Sequence, residues 1–491
     1  MWPAAKPLFQ RLAEYAAAIA LREGSRQLGY RQLLDELQRR SAQLQQSGAQ
    51  RIALALDNGS DWVLWDLAIL HAGLVCVPLP GFFSAAQQQH VLDSAGIDCL
   101  IGANAAAYAA LGFAARADGL LQRKPDNPPE LPVGTCKITY TSGTTGQPKG
   151  VCLDIATQLA VAQSLLQASA SCRVERHLCV LPLATLLENI AGVYAPLLAG
   201  AQIELMSMAQ IGLLGASQFD LPRFLGALNQ ARPHSLILLP QLLLALVSAA
   251  ERGLPLPDSL RFIAVGGGRV ASQLLQRAEA LGLPVFEGYG LSECASVVCL
   301  NTPKNRRIGT VGQPLAHLQI RLAEDREVLV KGPRLLGYLG EPAPAEEWLG
   351  TGDLGHFDGE FLVLHGRKKH QFITAFGRNV NPEWVEAELV QQLPIGQAWL
   401  HGEALPANVA VLVPRFAHSS DQQLAAAVAT VNLTLPDYAR VHHWLRAEQA
   451  FSSANDLATA NGRLRRAALL RHYQGAIEQL MATESCYGEA R

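Results

Sequence analysis

Residues 140–150 read YTSGTTGQPKG. The surrounding stretch, ITYTSGTTGQPKGV, begins as a β-rich strand, enters a run of small hydroxyl and glycine residues, and closes on a lysine. Glycines let a backbone come close to a phosphate, and successive N–H groups can form an anion-binding concavity. Ser142, Thr144 and Thr145 add neutral donors, and Lys149 adds a charge. The stretch matches neither the Walker pattern GxxxxGK[ST] nor the dinucleotide fingerprint. On composition alone it also fits an ordinary Ser/Thr/Gly loop, so its reading depends on the rest of the chain.

Outward from this loop, residues 28–120 alternate amphipathic helical stretches with short apolar strands. RQLLDELQRRSAQLQQSG predicts a helix ended by Gly48, RIALAL a strand, DWVLWDLAILHAG a helix capped near Asn58 to Asp61, and VCVPLP the next strand. The alternation continues through IELMSM, LILLP and RFIAVGGG, which predicts parallel sheets flanked by helices. The longest apolar run, LILLPQLLLALVSAA, is shorter than the ~20 residues of a membrane span and is broken by Pro240 and Gln241. It predicts a buried strand, a turn and a core helix. After about Asn301, period-two alternation and turn pairs such as Asp358-Gly359 predict antiparallel hairpins. Beyond Arg367, short strands (QFITAFG, VAVLVP) and helices (PEWVEAELVQQL, and one from Arg463) predict a small α+β lid. The expected division is 1–366 and 367–491, within the stretch His365 to Lys369.

A chain of 491 residues exceeds one compact core, so two or more domains are expected. Hydrophobic residues at 49% and charged residues at 17% fit a globular chain with large buried cores. A net charge of −2 gives no basic surplus for nucleic acid. The nine cysteines form no CxxC pair or Cys/His cluster at zinc spacing, which predicts free thiols in a reducing compartment. MWPAAKPLFQRL lacks a basic region followed by an apolar one, so secretion is not expected and a cytoplasmic location is.

YTSGTTGQPKG resembles the signature of the adenylate-forming (AMP-binding) superfamily, which includes acyl-CoA synthetases and peptide-synthetase adenylation domains. Four further segments carry the resemblance in matching order. EGYGLSE (287–293) is similar to the adenine and magnesium motif, and TGDLGHFD (351–358) to the ribose motif. GRKKHQFITAFGRNVNPEWVE (366–386) is similar to the hinge and first C-terminal loop, and TANGRLRR (459–466) to the final motif. The resemblance covers roughly residues 10 to 475. It implies an α/β fold: a large N-terminal domain of helix-flanked sheets with a small β-barrel-like part, then a small mobile α+β C-terminal domain.

The resemblance also implies roles. Thr141, Ser142, Gly143, Thr144, Thr145, Gly146 and Lys149 would hold the β- and γ-phosphates of ATP. Ser292 would donate to the α-phosphate, and Glu293 would bind Mg²⁺, which is commonly held by one or two carboxylates plus phosphate oxygens. Glu287, Gly288, Tyr289 and Gly290 would lie at the nucleotide with Tyr289 stacked on adenine, and Gly266, Gly267 and Gly268 would pass beside the base. Asp353 would accept from both ribose hydroxyls, because a carboxylate offers two acceptor oxygens. Arg367 would bind ribose or phosphate from the other side. Lys369 falls at the hinge, and the loop of Phe376, Gly377 and Arg378 would enter the site for thiol transfer.

Two positions depart from the family pattern. The final motif normally carries a lysine that contacts the attacking carboxylate and the α-phosphate, and here that position is Arg463. Arginine keeps the charge and can bind bidentately, but its planar fork is not a compact ammonium. Three readings follow: a ligase using Arg463, one using another cation such as Arg465, or a slow or inactive adenylation step. LPLATLLEN (181–189) resembles the LPLAH-x-x-E segment of long-chain acyl-CoA synthetases, with Thr185 at the histidine position and Glu188 fitting, and both are expected at the acyl pocket.

The reading is an AMP-forming acid–thiol ligase, nearest the fatty acyl-CoA synthetase group. Its expected substrate is a medium- or long-chain acid, its cofactors ATP and Mg²⁺, and its acceptor CoA or the phosphopantetheine thiol of an acyl carrier protein. Apolar positions around 181–198, 236–247 and 262–270 suit an acyl chain and equally a core. An aryl-acid ligase is one alternative; a non-catalytic nucleotide-binding protein, opened by Arg463, is another.

Overall fold

The computed structural model describes residues 1–141, 148–214, 218–459 and 462–488. The strand Lys137–Thr141 pairs antiparallel with Lys149–Leu153, so the two ends of the glycine-rich segment are held side by side. This hairpin belongs to an eight-stranded sheet in which Lys137–Thr141, Val75–Pro78, Arg51–Leu54 and Cys99–Ile101 run parallel. A nine-stranded sheet stands beside it. Its parallel strands include Gln202–Glu204, Arg176–Leu178, Ser235–Leu238, Phe262–Val265 and Val285–Tyr289. Strands covered on both faces carry apolar residues at nearly every position, which is why SLIL and FIAV read as continuous runs.

Local chemistry sets the helix ends. The apolar run resolves into Ser235–Leu238 and the helix Pro240–Glu251, with Pro240 in the first turn, where its missing N–H costs nothing. Helix Tyr30–Ser47 stops at Gly48, whose φ of 73° suits a residue without Cβ. Helix Ser60–Ala72 starts within the expected stretch, at the N-cap Gly59, which offers no side-chain cap. Asn58 instead donates to Leu181 O (2.8 Å) and accepts from Leu183 N (2.7 Å), fastening the two sheets' loops together. At the start of the strand Lys137–Thr141 a buried ion pair, Lys137 Nζ to Asp66 Oδ1 at 2.8 Å, is shared with Asn189 and Tyr194.

The part expected to be β-barrel-like is a four-stranded antiparallel sheet, Gln319–Leu322, Glu327–Lys331, Leu349–Asp358 and Phe361–Arg367. Leu362 on its outer edge exchanges backbone hydrogen bonds with Val311 and Gly312, joining it to the large body. Asp358 pairs with Phe361 across the expected turn, where Gly359 takes a φ of 62°. From Phe372 onward the chain packs hydrophobic clusters that contain no earlier residue. They cover a three-stranded sheet, Ile395–His401, Asn408–Pro414 and Val441–Arg446, with helices Pro382–Gln391 and Asp421–Asn432. The last helix begins at Arg466 rather than Arg463, because an Ala458–Leu464 bridge holds the preceding residues in a loop. Cys76, Cys99, Cys136, Cys152, Cys172, Cys179, Cys294 and Cys299 are free, and no described helix is long and apolar enough to cross a membrane.

Candidate active site

The carboxyl ends of the parallel strands open into a cleft of about 2940 Å³, walled by the large body and roofed by residues of the C-terminal part. This is where open α/β sheets place ligands. Gly266 to Gly268 follow the strand Phe262–Val265. A Cβ on Gly266 would lie 3.1 Å from Gly288 O, and Gly267 takes a φ of 77°. A Cβ on Gly290 would lie 1.5 Å from Ser296 O, so the turn after Tyr289 closes only around glycine. The two glycine segments thus bring bare backbone to the cleft from neighbouring strands.

Asp353 and Arg367 face each other across paired strands. Asp353 Oδ1 lies 2.7 Å from Arg367 Nε, and the Tyr289 hydroxyl donates to Oδ2 at 2.6 Å. Burial pushes the Asp353 carboxyl up, opposed by Arg367 and the Tyr289 hydrogen bond; the Tyr289 phenol is pushed up by burial and then by Asp353. Each Asp353 oxygen thus takes one internal partner and keeps a second lone pair, the acceptor capacity that a diol would use. Glu287, on the same strand as Tyr289, is pushed up to about 8 by burial, with Arg269 and the Val270 N–H pulling the other way.

On the opposite wall, the Tyr338 hydroxyl donates to Glu293 Oε1 at 2.7 Å. Lys149 Nζ lies 3.0 Å from Glu341 Oε1 and 5.4 Å from the centre of the Tyr338 ring. Lys149 and Glu293 thus meet at Tyr338, with Thr141 and Ser292 also lining the cleft. Among the described residues Glu293 Oε2 takes no hydrogen bond, so a single carboxylate oxygen remains for a hard cation such as magnesium, and the donor set fits that ion. Ser142, Gly143, Thr144, Thr145 and Gly146 lie outside the described residues.

Arg463 reaches the cleft from the C-terminal part on a loop closed by Thr459. Arg463 N–H donates to Thr459 Oγ1 (3.0 Å), and Arg463 O accepts from Thr459 N–H at 2.7 Å. Its side chain is exposed to the cleft, where surrounding protein partly desolvates the guanidinium and, with Arg367, holds it below the usual arginine range, while Glu293, Asp353 and Glu383 pull it back up. It makes no ion pair or hydrogen bond of its own among the described residues. Arg465, the other candidate cation, pairs with Asp456. Lys369, in the short turn Lys368–His370, is lowered by burial, Arg367 and Arg463. Sequence reasoning missed Glu383, which anchors this turn by bonding His370 Nδ1 (2.6 Å) and Arg367 N (3.4 Å). Burial alone would raise the Glu383 carboxyl, but the His370 bond and Arg466 outweigh it and hold it at about 2. Phe376 is exposed, and Gly377 has a φ of 71°.

Thr185 lines the cleft, its hydroxyl donating to Pro182 O at 2.6 Å. The placement of Glu188 at the acyl pocket needs correction. It has no exposed surface and does not line the cleft; it accepts from Leu181 N (3.2 Å) and faces His177 Nε2 (3.2 Å) from behind the wall. His177, with Ser235 on the adjacent strand, lines the cleft instead. His177, Cys179 and Glu188 place one potential ligand atom each within 4.8 Å of one another. Burial holds the Cys179 thiol far above its usual range and it donates to Gly192 O, which leaves His177 and Glu188 as the hydrogen-bonded pair of the trio.

A family model described as AMP-binding enzyme matches residues 8–339. A 2-succinylbenzoate–CoA ligase of Enterococcus faecalis is 30% identical over 284 residues, covering 54% of this chain and 56% of that protein. A long-chain-fatty-acid–CoA ligase of Mycobacterium bovis is 29% identical over 423 residues, covering 70% of each. Against some of its curated relatives, then, the chain matches little more than half of their length. Among solved structures, an anthranilate CoA ligase in complex with anthranoyl-AMP superposes with a TM-score of 0.79 at 17% identity, covering 96% of both chains.

Proposed function

The chain belongs to the AMP-binding enzyme family, and from that premise we propose that it activates a carboxylic acid with ATP and passes the acyl group to a thiol. The observation that carries this reading is the convergence of Asp353, Arg367, Glu293, Lys149 and Arg463 on one cleft. A carboxylate oxygen of the acid attacks the α-phosphorus, the bond to the bridging oxygen breaks, and pyrophosphate leaves. Asp353 accepts from the ribose hydroxyls while Tyr289 and Arg367 fix its orientation. Lys149 lies where the β- and γ-phosphates would rest. Magnesium held at Glu293 would neutralise part of the triphosphate charge. Arg463, whose guanidinium makes no ion pair among the described residues, faces the negative charge that gathers as carboxylate and phosphate meet. A cation preplaced against developing charge contributes several kcal/mol to such a step.

In the second step the thiol sulfur of CoA, or of a carrier protein's phosphopantetheine, attacks the acyl carbon and AMP leaves. Residues 367–491 act as the lid, turning about Lys369, and Glu383 latches that turn in the arrangement described here. The acid is one with an apolar body, since Leu187, Ala191, Ile237 and Ala264 line the cleft beyond Thr185. A medium- or long-chain acid fits this lining. An aryl acid is favoured by the 2-succinylbenzoate and anthranilate ligases among the proteins this chain is similar to.

Trapping with hydroxylamine over a panel of fatty and aryl acids tests the proposal. Acid- and ATP-dependent hydroxamate is expected, and repeating the panel with CoA and with holo carrier protein separates the acceptors. AMP release that does not depend on any acid would sink it.

A further inference from the structure

Behind Thr185 the cleft continues along one face of the nine-stranded sheet. Residues paired in register on parallel strands face the same side. His177 pairs with Ser235, Ser235 with Phe262, and Ile237 with Ala264. The wall therefore reads Ile237 and Ala264 nearer the nucleotide, then His177, Ser235 and Phe262 deeper in, all lining one continuous space. In this apolar wall the His177–Ser235 pair is a polar break. Gly266 N–H bonds Leu238 O, three residues from Ser235 along the strand. At about 3.3 Å per residue, Ser235 lies roughly 10 Å below the nucleotide loop.

The polar group is built, not incidental. His177 Nδ1 lies 2.9 Å from Ser235 Oγ, and His177 Nε2 lies 3.2 Å from Glu188 Oε1. Exposures are 2%, 5% and 0% for His177, Ser235 and Glu188. A Cβ on Gly192 would lie 2.4 Å from Glu188 Oε1 and 2.9 Å from His177 Nε2, so the adjoining helical turn is glycine where the pair needs room. The donor chain has a direction. With Glu188 ionised and the imidazole neutral, the carboxylate can only accept, so Nε2 carries the proton and Nδ1 is the acceptor. Ser235 O–H then donates to Nδ1, and the Ser235 oxygen presents its lone pairs to the cleft. Among the described residues that oxygen has no other partner. A site that buries a hydrogen-bonding group discriminates against ligands that cannot satisfy it.

We infer that Ser235, oriented by His177 and Glu188, is a subsite accepting a hydrogen bond from a hydroxyl or amino group carried on the substrate acid at the end remote from its carboxylate. The inference rests on the acid-activation reading and deepens it: the substrate is an apolar acid with a distal donor, not a plain hydrocarbon acid. Ser235 touches the substrate; His177 and Glu188 are positioning residues that act through it.

The test compares an ω-hydroxy medium-chain acid with its unsubstituted parent, and a para-hydroxyphenylpropanoate with phenylpropanoate. Both kcat/KM for pyrophosphate release and binding by calorimetry in the presence of AMP are measured. One hydrogen bond of ordinary strength predicts a preference of up to about tenfold for the hydroxylated member of at least one pair. Ser235→Ala should bring that ratio to about one. Equal binding and turnover of both members in the unaltered protein, or a preference that Ser235→Ala leaves intact, overturns the subsite. Preferential binding without pyrophosphate release from any acid would keep the subsite and overturn the activation reading.

Discussion

Replacing Arg463 by alanine should separate catalysis from folding more cleanly than any other change in the cleft. The guanidinium makes no hydrogen bond or ion pair among the described residues, and its loop is held by the backbone and Thr459. Its removal should therefore cost no more than about 0.5 kcal/mol of stability, the range of a surface substitution without special contacts. The catalytic cost is larger. Two unit charges about 4 Å apart interact by roughly 4 kcal/mol at an effective dielectric of ~20. Loss of one preorganised group facing developing charge typically costs about 10²–10³ in kcat. Arg367 shares the cleft and would supply part of the missing charge, which places the expectation near the lower end, about a hundredfold. The assay is single-turnover pyrophosphate release at saturating ATP, with a thermal melt of each variant. Arg463→Lys, which keeps the charge, should recover part of the rate. A single-turnover rate for Arg463→Ala within about threefold of the parent, roughly 0.6 kcal/mol, would refute the role given to this residue.

Asp353→Ala should weaken ATP binding at least about tenfold by calorimetry, since a hydrogen bond to a charged acceptor contributes about 1.5–3 kcal/mol; unchanged affinity would mean the ribose is held elsewhere. Glu287, with its carboxyl pushed up from 4.5 to about 8, contributes stability that is present below the lower value and lost as pH rises through the upper one. The unfolding midpoint should therefore fall more steeply between about pH 5 and about pH 9 in the parent than in Glu287→Gln, and parallel curves would count against that burial. Lys137→Met removes one partner of a pair whose side chains are 3% and 1% exposed. It should lower stability in urea by about 3–5 kcal/mol, because Asp66 is left charged and uncompensated.

The parts of this molecule that sequence reading reaches are those written in local pattern. Glycine after the helix Tyr30–Ser47, proline opening Pro240–Glu251 and the apolar runs of the parallel strands each fix their element through neighbours a few residues away. The ordered motifs likewise bring Asp353, Tyr289, Glu293 and Arg367 to one cleft. What stays hidden is set by pairings across the chain. His177 meets Ser235 from 58 residues away, and nothing local to either marks a polar break in the pocket wall. Asn58 looks like a helix cap, yet its amide serves a loop 123 residues on. Glu188 sits in a motif read as pocket lining, but it lies on the irregular helical stretch Glu188–Tyr194, whose altered turn directs it behind the wall. Glu383 opens an ordinary helix, and its grip on His370 and Arg367 emerges only once the chain folds back on the hinge turn.

The most direct measurement is acid-dependent exchange of labelled pyrophosphate into ATP, which reports reversible adenylate formation without needing the thiol acceptor. Exchange is expected with at least one apolar acid, dependent on magnesium and sharply reduced in Arg463→Ala. ATP binding with no exchange for any acid in the panel would contradict it and leave a nucleotide-binding protein that does not activate acids.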